Sequence, residues 1–162
     1  MNLDHFRAVT ASRQWGSYAQ LLLSHSNYTE ACRELFGTYW TEAGHHVREQ
    51  MADDRALVRL LRHMLPSFSG SATILYRGEN LQRWNDHKVG LAWSSSIDVA
   101  RMFAGGLNAV VSGGILLSAH FAPTAIVSGP NDHSRYLGEG QYTIDPFCDT
   151  KIKELETFPP MP

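Results

Sequence analysis

Thr73-Ile74-Leu75-Tyr76-Arg77-Gly78 is a run of β-formers that carries one guanidinium to the end of a predicted strand, just before a glycine. It marks the change of texture in the chain. On its N-terminal side, residues 1 to about 66 repeat apolar side chains at three- and four-residue spacing with no strand-like alternation, which predicts helices. Three are expected. The first covers roughly Ser12 to Ser24. The second opens at Asn27, whose side chain caps while Glu30 reaches back, and presents Cys32, Leu35, Phe36, Tyr39, Trp40, Ala43 and Val47 on one broad face. The third starts near Asp53, carries Leu57, Val58, Leu60, Leu61 and Met64, and stops at Pro66. Gly37 weakens the second helix by about 1 kcal/mol relative to alanine, so a break or a close packing contact is expected there.

From Ser67 onward glycine, serine and β-branched residues increase, and short apolar runs are separated by turn residues. Strands are predicted over Thr73 to Arg77, Leu91 to Ser94, Ile115 to Phe121, Thr124 to Val127, Gln141 to Asp145 and Ile152 to Phe158, with a helix from about Ile97 to Ala104. The fold class is therefore α+β: a helical region over 1–66 in one compact unit with a β-rich core over 67–162. Gly105-Gly106 and Gly113-Gly114 bound a flexible loop. It has neither the setting nor the spacing of a dinucleotide fingerprint, which excludes a Rossmann reading.

The 162 residues suit one domain, and a hydrophobic share of 43% with 19% charged residues is that of an ordinary globular protein. A net charge of -2 lacks the basic footprint of a tight nucleic-acid binder. The apolar runs Leu21-Leu22-Leu23 and Ile115-Leu116-Leu117 fall far short of a membrane span. The start of the chain lacks the pattern of a secretory signal, so a cytoplasmic setting is expected, with Cys32 and Cys148 as reduced thiols. No metal is expected. His45 and His46 point about 100° apart on a helix, and no Cys or His pair has zinc-ligand spacing. No serine sits in a nucleophile elbow.

Two polar clusters follow Arg77. One is Ala92-Trp93-Ser94-Ser95-Ser96-Ile97-Asp98-Val99-Ala100-Arg101-Met102-Phe103-Ala104, a strand end running into an amphipathic helix. The other is Gly138-Glu139-Gly140-Gln141-Tyr142-Thr143-Ile144-Asp145-Pro146. Taken singly, each has a plain reading. Arg77 reads as an ion-pairing residue, Ser96 as a helix N-cap, Glu139 as a turn residue, and Tyr76 and Trp93 as core aromatics.

Taken in order, over about residues 72 to 158, these clusters resemble the arginine-serine-glutamate class of NAD-dependent mono-ADP-ribosyltransferases, most of all its small bacterial and phage branch. The resemblance implies two small, mainly antiparallel sheets flanking an NAD cleft. It gives Arg77 the cofactor's phosphates, for which a planar fork of donors is suited. Ser94 orients the ribose and the arginine, with Ser95 and Ser96 as neighbouring candidates, and Gly78 joins the cofactor set. Tyr76 and Trp93 are placed to flank nicotinamide.

The glutamates of the family's Glu-x-Glu fall on Glu139 and Gln141, so the second slot is uncharged here. Cleavage of the nicotinamide bond passes through an oxocarbenium-like state that a carboxylate stabilises selectively. The catalytic charge is accordingly expected from Glu139, whose flanking glycines free its backbone, or from an acid of the helical region. The segment 128–137, with Asn131, Asp132, His133, Arg135 and Tyr136, corresponds to the loop that meets the acceptor, a protein or, alternatively, a nucleic acid. The implied setting is a bacterial or phage effector or toxin. NAD hydrolysis, and a non-catalytic NAD-fold protein inhibiting a host system, are the alternatives.

Overall fold

The computed structural model describes residues 2–162. The helical region begins with α1, Leu3–Ala11, whose first turn is capped by the Asn2 side chain accepting from His5 N at 2.9 Å. Arg13 adopts a left-handed φ of 54° and turns the chain into α2, Trp15–Ser24. The single helix expected over Ser12 to Ser24 is thus shorter, and a further helix precedes it. α3 spans Glu30–Met51 and is capped by Thr29, not Asn27: the Thr29 hydroxyl accepts from Cys32 N. α4 spans Asp54–Met64, with the Asp53 carboxylate accepting from the amides of Arg55 and Ala56. Gly37 is a close packing point, facing Asn131 and Leu65. The irregularity of α3 comes six residues later, at Ala43 (φ -135°, ψ 18°).

The rest of the chain builds β1 (Thr73–Asn80), α5 (Leu81–Asn85), β2 (Ala92–Ser94), α6 (Ile97–Gly105), β3 (Gly114–Phe121), β4 (Ile126–Ser128), α7 (Asp132–Tyr136), β5 (Gln141–Ile144) and β6 (Ile152–Phe158). The fold is α+β: among the described residues, seven α-helices and one six-stranded antiparallel sheet in the order β4-β5-β2-β1-β3-β6. The expectation of two separate sheets is corrected. The reason is a seam rather than a gap. β1 pairs with β3 along its whole length, from Thr73 opposite Phe121 to Asn80 opposite Gly114, but joins β2 only where Tyr76 faces Ser94.

The sheet is covered on both faces, which is why β3 is buried almost throughout. Ile115, Leu117, Ala119 and Phe121 pack with Phe6, Trp15, Phe36, Tyr39, Leu57 and Leu61 of the helices, together with Leu75, Trp93 and Ile144. Leu116, of opposite pleat, meets Ala100 and Ala104 of α6. One core therefore crosses residue 66 without interruption. No helix among the described residues is long and apolar enough to cross a membrane.

Candidate functional site

Strand adjacency brings the three motif regions together. Tyr76, Ser94 and Gln141 lie in one cross-strand row over β1, β2 and β5. Around this row is a cavity of about 280 Å³. Its walls include Tyr76, Arg77, Ser94, Glu139 and Gln141, with Thr41 from α3 and Phe103 from α6.

Arg77 is not a free guanidinium at a strand end, because β1 continues to Asn80 and the side chain is held in mid-strand. Its Nε donates to Glu79 Oε2 at 2.8 Å and its Nη1 to the Ala92 carbonyl across the β1–β2 seam. The guanidinium lies against Gly90, where a Cβ would overlap it. Among the described residues Nη2 has no hydrogen-bond partner, and it is the guanidinium atom set closest to Gly90.

Glu79, which the sequence reading did not select, organises this corner. Its side chain is 1% exposed and accepts from Arg77, from Gly90 N at 2.8 Å and from Asn80 N at 2.9 Å, while Arg83 Nε lies 3.3 Å away. Burial alone would raise its carboxyl, but the charge of Arg77 and the hydrogen bonds from Arg77, Gly90 and Asn80 outweigh it and hold the group below the ordinary carboxylate value. The signal was in the sequence: residues two apart on a strand share a face, so Arg77 and Glu79 are neighbours.

Ser94 lines the cavity and is hydrogen-bonded within the protein. Its hydroxyl donates to the Glu139 carbonyl at 2.8 Å and accepts from Ser96 N, which ties the end of β2 to the loop before β5. Ser96 is the N-cap of α6, accepting from Val99 N, and Ser95 is exposed. Glu139 stands between Gly138 (φ 74°) and Gly140 (φ 52°), a backbone course that favours glycine on both sides. The amides of Glu139 and Gly140 both donate to the Ser134 carbonyl, at 3.0 and 3.2 Å, so the loop is fixed. Burial raises the Glu139 carboxyl, and nearby His133 partly offsets this.

Trp93 and Gly78 of the expected cofactor set border the cavity and are also held by the core. Trp93 is a core residue, packed edge-on against Phe121 with its indole N–H on the Gly90 carbonyl. Gly78 is buried beneath α6, where a Cβ would overlap Ala100 O and Ala104 N. Tyr76 borders the cavity as well.

The expected acceptor loop is the short helix α7, docked on α3. Asn131 caps it, accepting from Ser134 N, and its amide also reaches Thr41 Oγ1 at 3.3 Å. His133 Nε2 lies 3.1 Å from Glu42 Oε1. Asn131 and His133 therefore face the protein. Asp132 and Arg135 pair with each other at the surface, and Tyr136 is 86% exposed.

Compared with known proteins, the chain matches no family model, no curated protein and no solved structure.

Proposed function

We propose that the chain is an NAD-dependent mono-ADP-ribosyltransferase acting on a macromolecular acceptor. The supporting observation is the meeting of Arg77, Ser94, Glu139 and Gln141, from three separate stretches of sequence, around one cavity. A volume of about 280 Å³ suits the nicotinamide nucleoside end of NAD, near the lower limit for small-molecule sites. In this reading Nη2 of Arg77 takes a phosphate oxygen. Ionised Glu139 binds a ribose hydroxyl and stabilises the positive charge that develops at C1′ as the glycosidic bond breaks and its electron pair leaves with nicotinamide. Gln141 adds a neutral hydrogen bond to the sugar, and Ser94 acts indirectly by anchoring the backbone of Glu139. An acceptor nucleophile then bonds to C1′ and releases its proton. By the resemblance, the setting is the cytoplasm of a host or bacterium, with the protein as effector or toxin.

One observation favours NAD hydrolysis as a second reading: Asn131 and His133 are turned onto α3, leaving Asp132, Arg135 and Tyr136 to meet an acceptor. Both readings are tested with NAD labelled on its adenylate, incubated with the protein with and without cell lysate. Transfer of label to lysate macromolecules is the expected result. Nicotinamide release that needs no acceptor would select hydrolysis. Glu139→Gln should lower turnover about 100-fold. Because the ionised form is needed and burial raises this carboxyl, the rate should fall on acidification at a pH above the ordinary carboxylate range. An absence of both label transfer and nicotinamide release with the unaltered protein sinks the proposal.

A further inference from the structure

A second, larger cavity of about 960 Å³ adjoins the first. The two share Thr41, Arg77, Ala92, Asn108 and Gln141 in their walls, so Arg77 stands between them. Four cationic side chains, Arg48, Arg77, Arg83 and Lys88, line the larger chamber against Glu49, Asp54 and Glu79. The acids are committed. Asp54 is held at both oxygens by Arg48, at 2.9 and 2.7 Å. Glu49 pairs with Arg13 at 3.1 Å, outside the chamber. Glu79 carries one negative charge between two guanidiniums, Arg77 at 2.8 Å and Arg83 at 3.3 Å. Lys88 enters no ion pair among the described residues.

The protein also fixes the geometry of these cations. Arg83 uses Nε toward Glu79 and Nη2 on the Lys88 carbonyl, at 3.0 Å, which sets the backbone of Lys88 beside it. Among the described residues, Arg83 Nη1, Arg77 Nη2 and the Lys88 ammonium have no hydrogen-bond partner. Guanidiniums held by one edge and open at another are already arranged for the oxygens of a phosphate, and ligand binding then orders fewer side chains.

We propose that the second chamber is a phosphate-binding site, in which Arg83 and Lys88, with the open edge of Arg77, take the phosphate or pyrophosphate of a small ligand. Its identity as the pyrophosphate of NAD rests on the transferase reading, since the first chamber is too small for a whole dinucleotide. The anion chemistry stands without that reading.

The test is calorimetric titration of the full chain with ADP and with inorganic pyrophosphate, using Arg83→Gln and Lys88→Ala singly and together. Both side chains are exposed, and circular dichroism verifies that the variants keep the fold. Both ligands should bind. Each substitution should weaken binding about tenfold, and added salt should weaken it further. If neither ligand binds, or if the double variant binds as tightly as the unaltered chain, the site does not exist. Displacement of pyrophosphate by NAD would identify the chamber's phosphate as that of NAD. If pyrophosphate binds while NAD neither displaces it nor is cleaved, the site stands and the transferase reading falls. Cleavage of NAD with an unchanged KM in the double variant would overturn the site and leave the transferase reading intact.

Discussion

Glu79 bears the most on the cationic wall of the groove. It is a buried carboxylate with four donors around it, and two guanidiniums would face each other without it. Glu79→Gln keeps the shape but removes the charge. Loss of one partner from a buried ion pair costs about 3 kcal/mol, or a melting midpoint lower by roughly 10 °C for a chain of this size. The sign of the pH effect follows from the lowered carboxyl. Its stabilisation is fully present above the value in the unfolded chain and is lost as pH falls through the lower, folded value. Thermal melts of the two proteins should differ most near neutral pH and converge on acidification below the ordinary carboxylate range. A difference that stays constant over that range would show that the charge of Glu79 is not what holds the corner. The ion-pairing reading of Arg77 was legible in the sequence, but not the burial of its partner, which depends on Gly90 and Arg83 arriving from the following segment.

At the scale of elements, the approach of α6 to the sheet rests on small residues. Ala100 and Ala104 are one turn apart on α6, and they meet Gly78 of β1 and Gly114 of β3, where any Cβ would overlap the backbone of the helix. Gly78→Ala should therefore displace α6 and cost about 3 kcal/mol, read as a lower denaturant midpoint. A stable variant with unaltered hydrogen-exchange protection in α6 would contradict this packing. The helix itself was legible from its N-cap and periodicity. The length of β1 was not. Glu79 and Asn80 are poor strand formers, and full pairing with β3 carries the strand past them. α1 carried a signal in Leu3, Phe6 and Val9, three residues apart, and was obscured by the turn at Arg13. α7 has too few residues to show a period, and its contacts with Thr41 and Glu42 are long-range.

At the scale of the molecule, the helical half and the sheet are one cooperative body. The core runs from Phe6 to Ile144, and the buried indole of Trp40 donates to Thr143 Oγ1 at 2.9 Å, joining α3 to β5. Unfolding in denaturant should give coincident single transitions by tryptophan fluorescence and far-ultraviolet circular dichroism, and residues 67–162 alone should not fold. Two resolved transitions would divide the chain where its texture changes. The order of arginine, serine and glutamate was legible along the sequence. Their convergence follows from the neighbourhood of β1, β2 and β5, a property of topology that spacing does not carry. The second chamber was illegible for the same reason, since α3 and the 83–90 segment that wall it are far apart in the chain.

The join between β1 and β2 gives the six strands the mechanics of a book with a thin spine. Parting it disturbs one residue pair, the arginine clasp on Ala92 and the bond from the Gly90 amide to Glu79, whereas parting β1 from β3 would undo eight residue pairs. Of the joints within the sheet, this is the one held by the fewest residue pairs, so a change in spacing between the strand ends that bear Arg77 and Gln141 breaks the fewest bonds there.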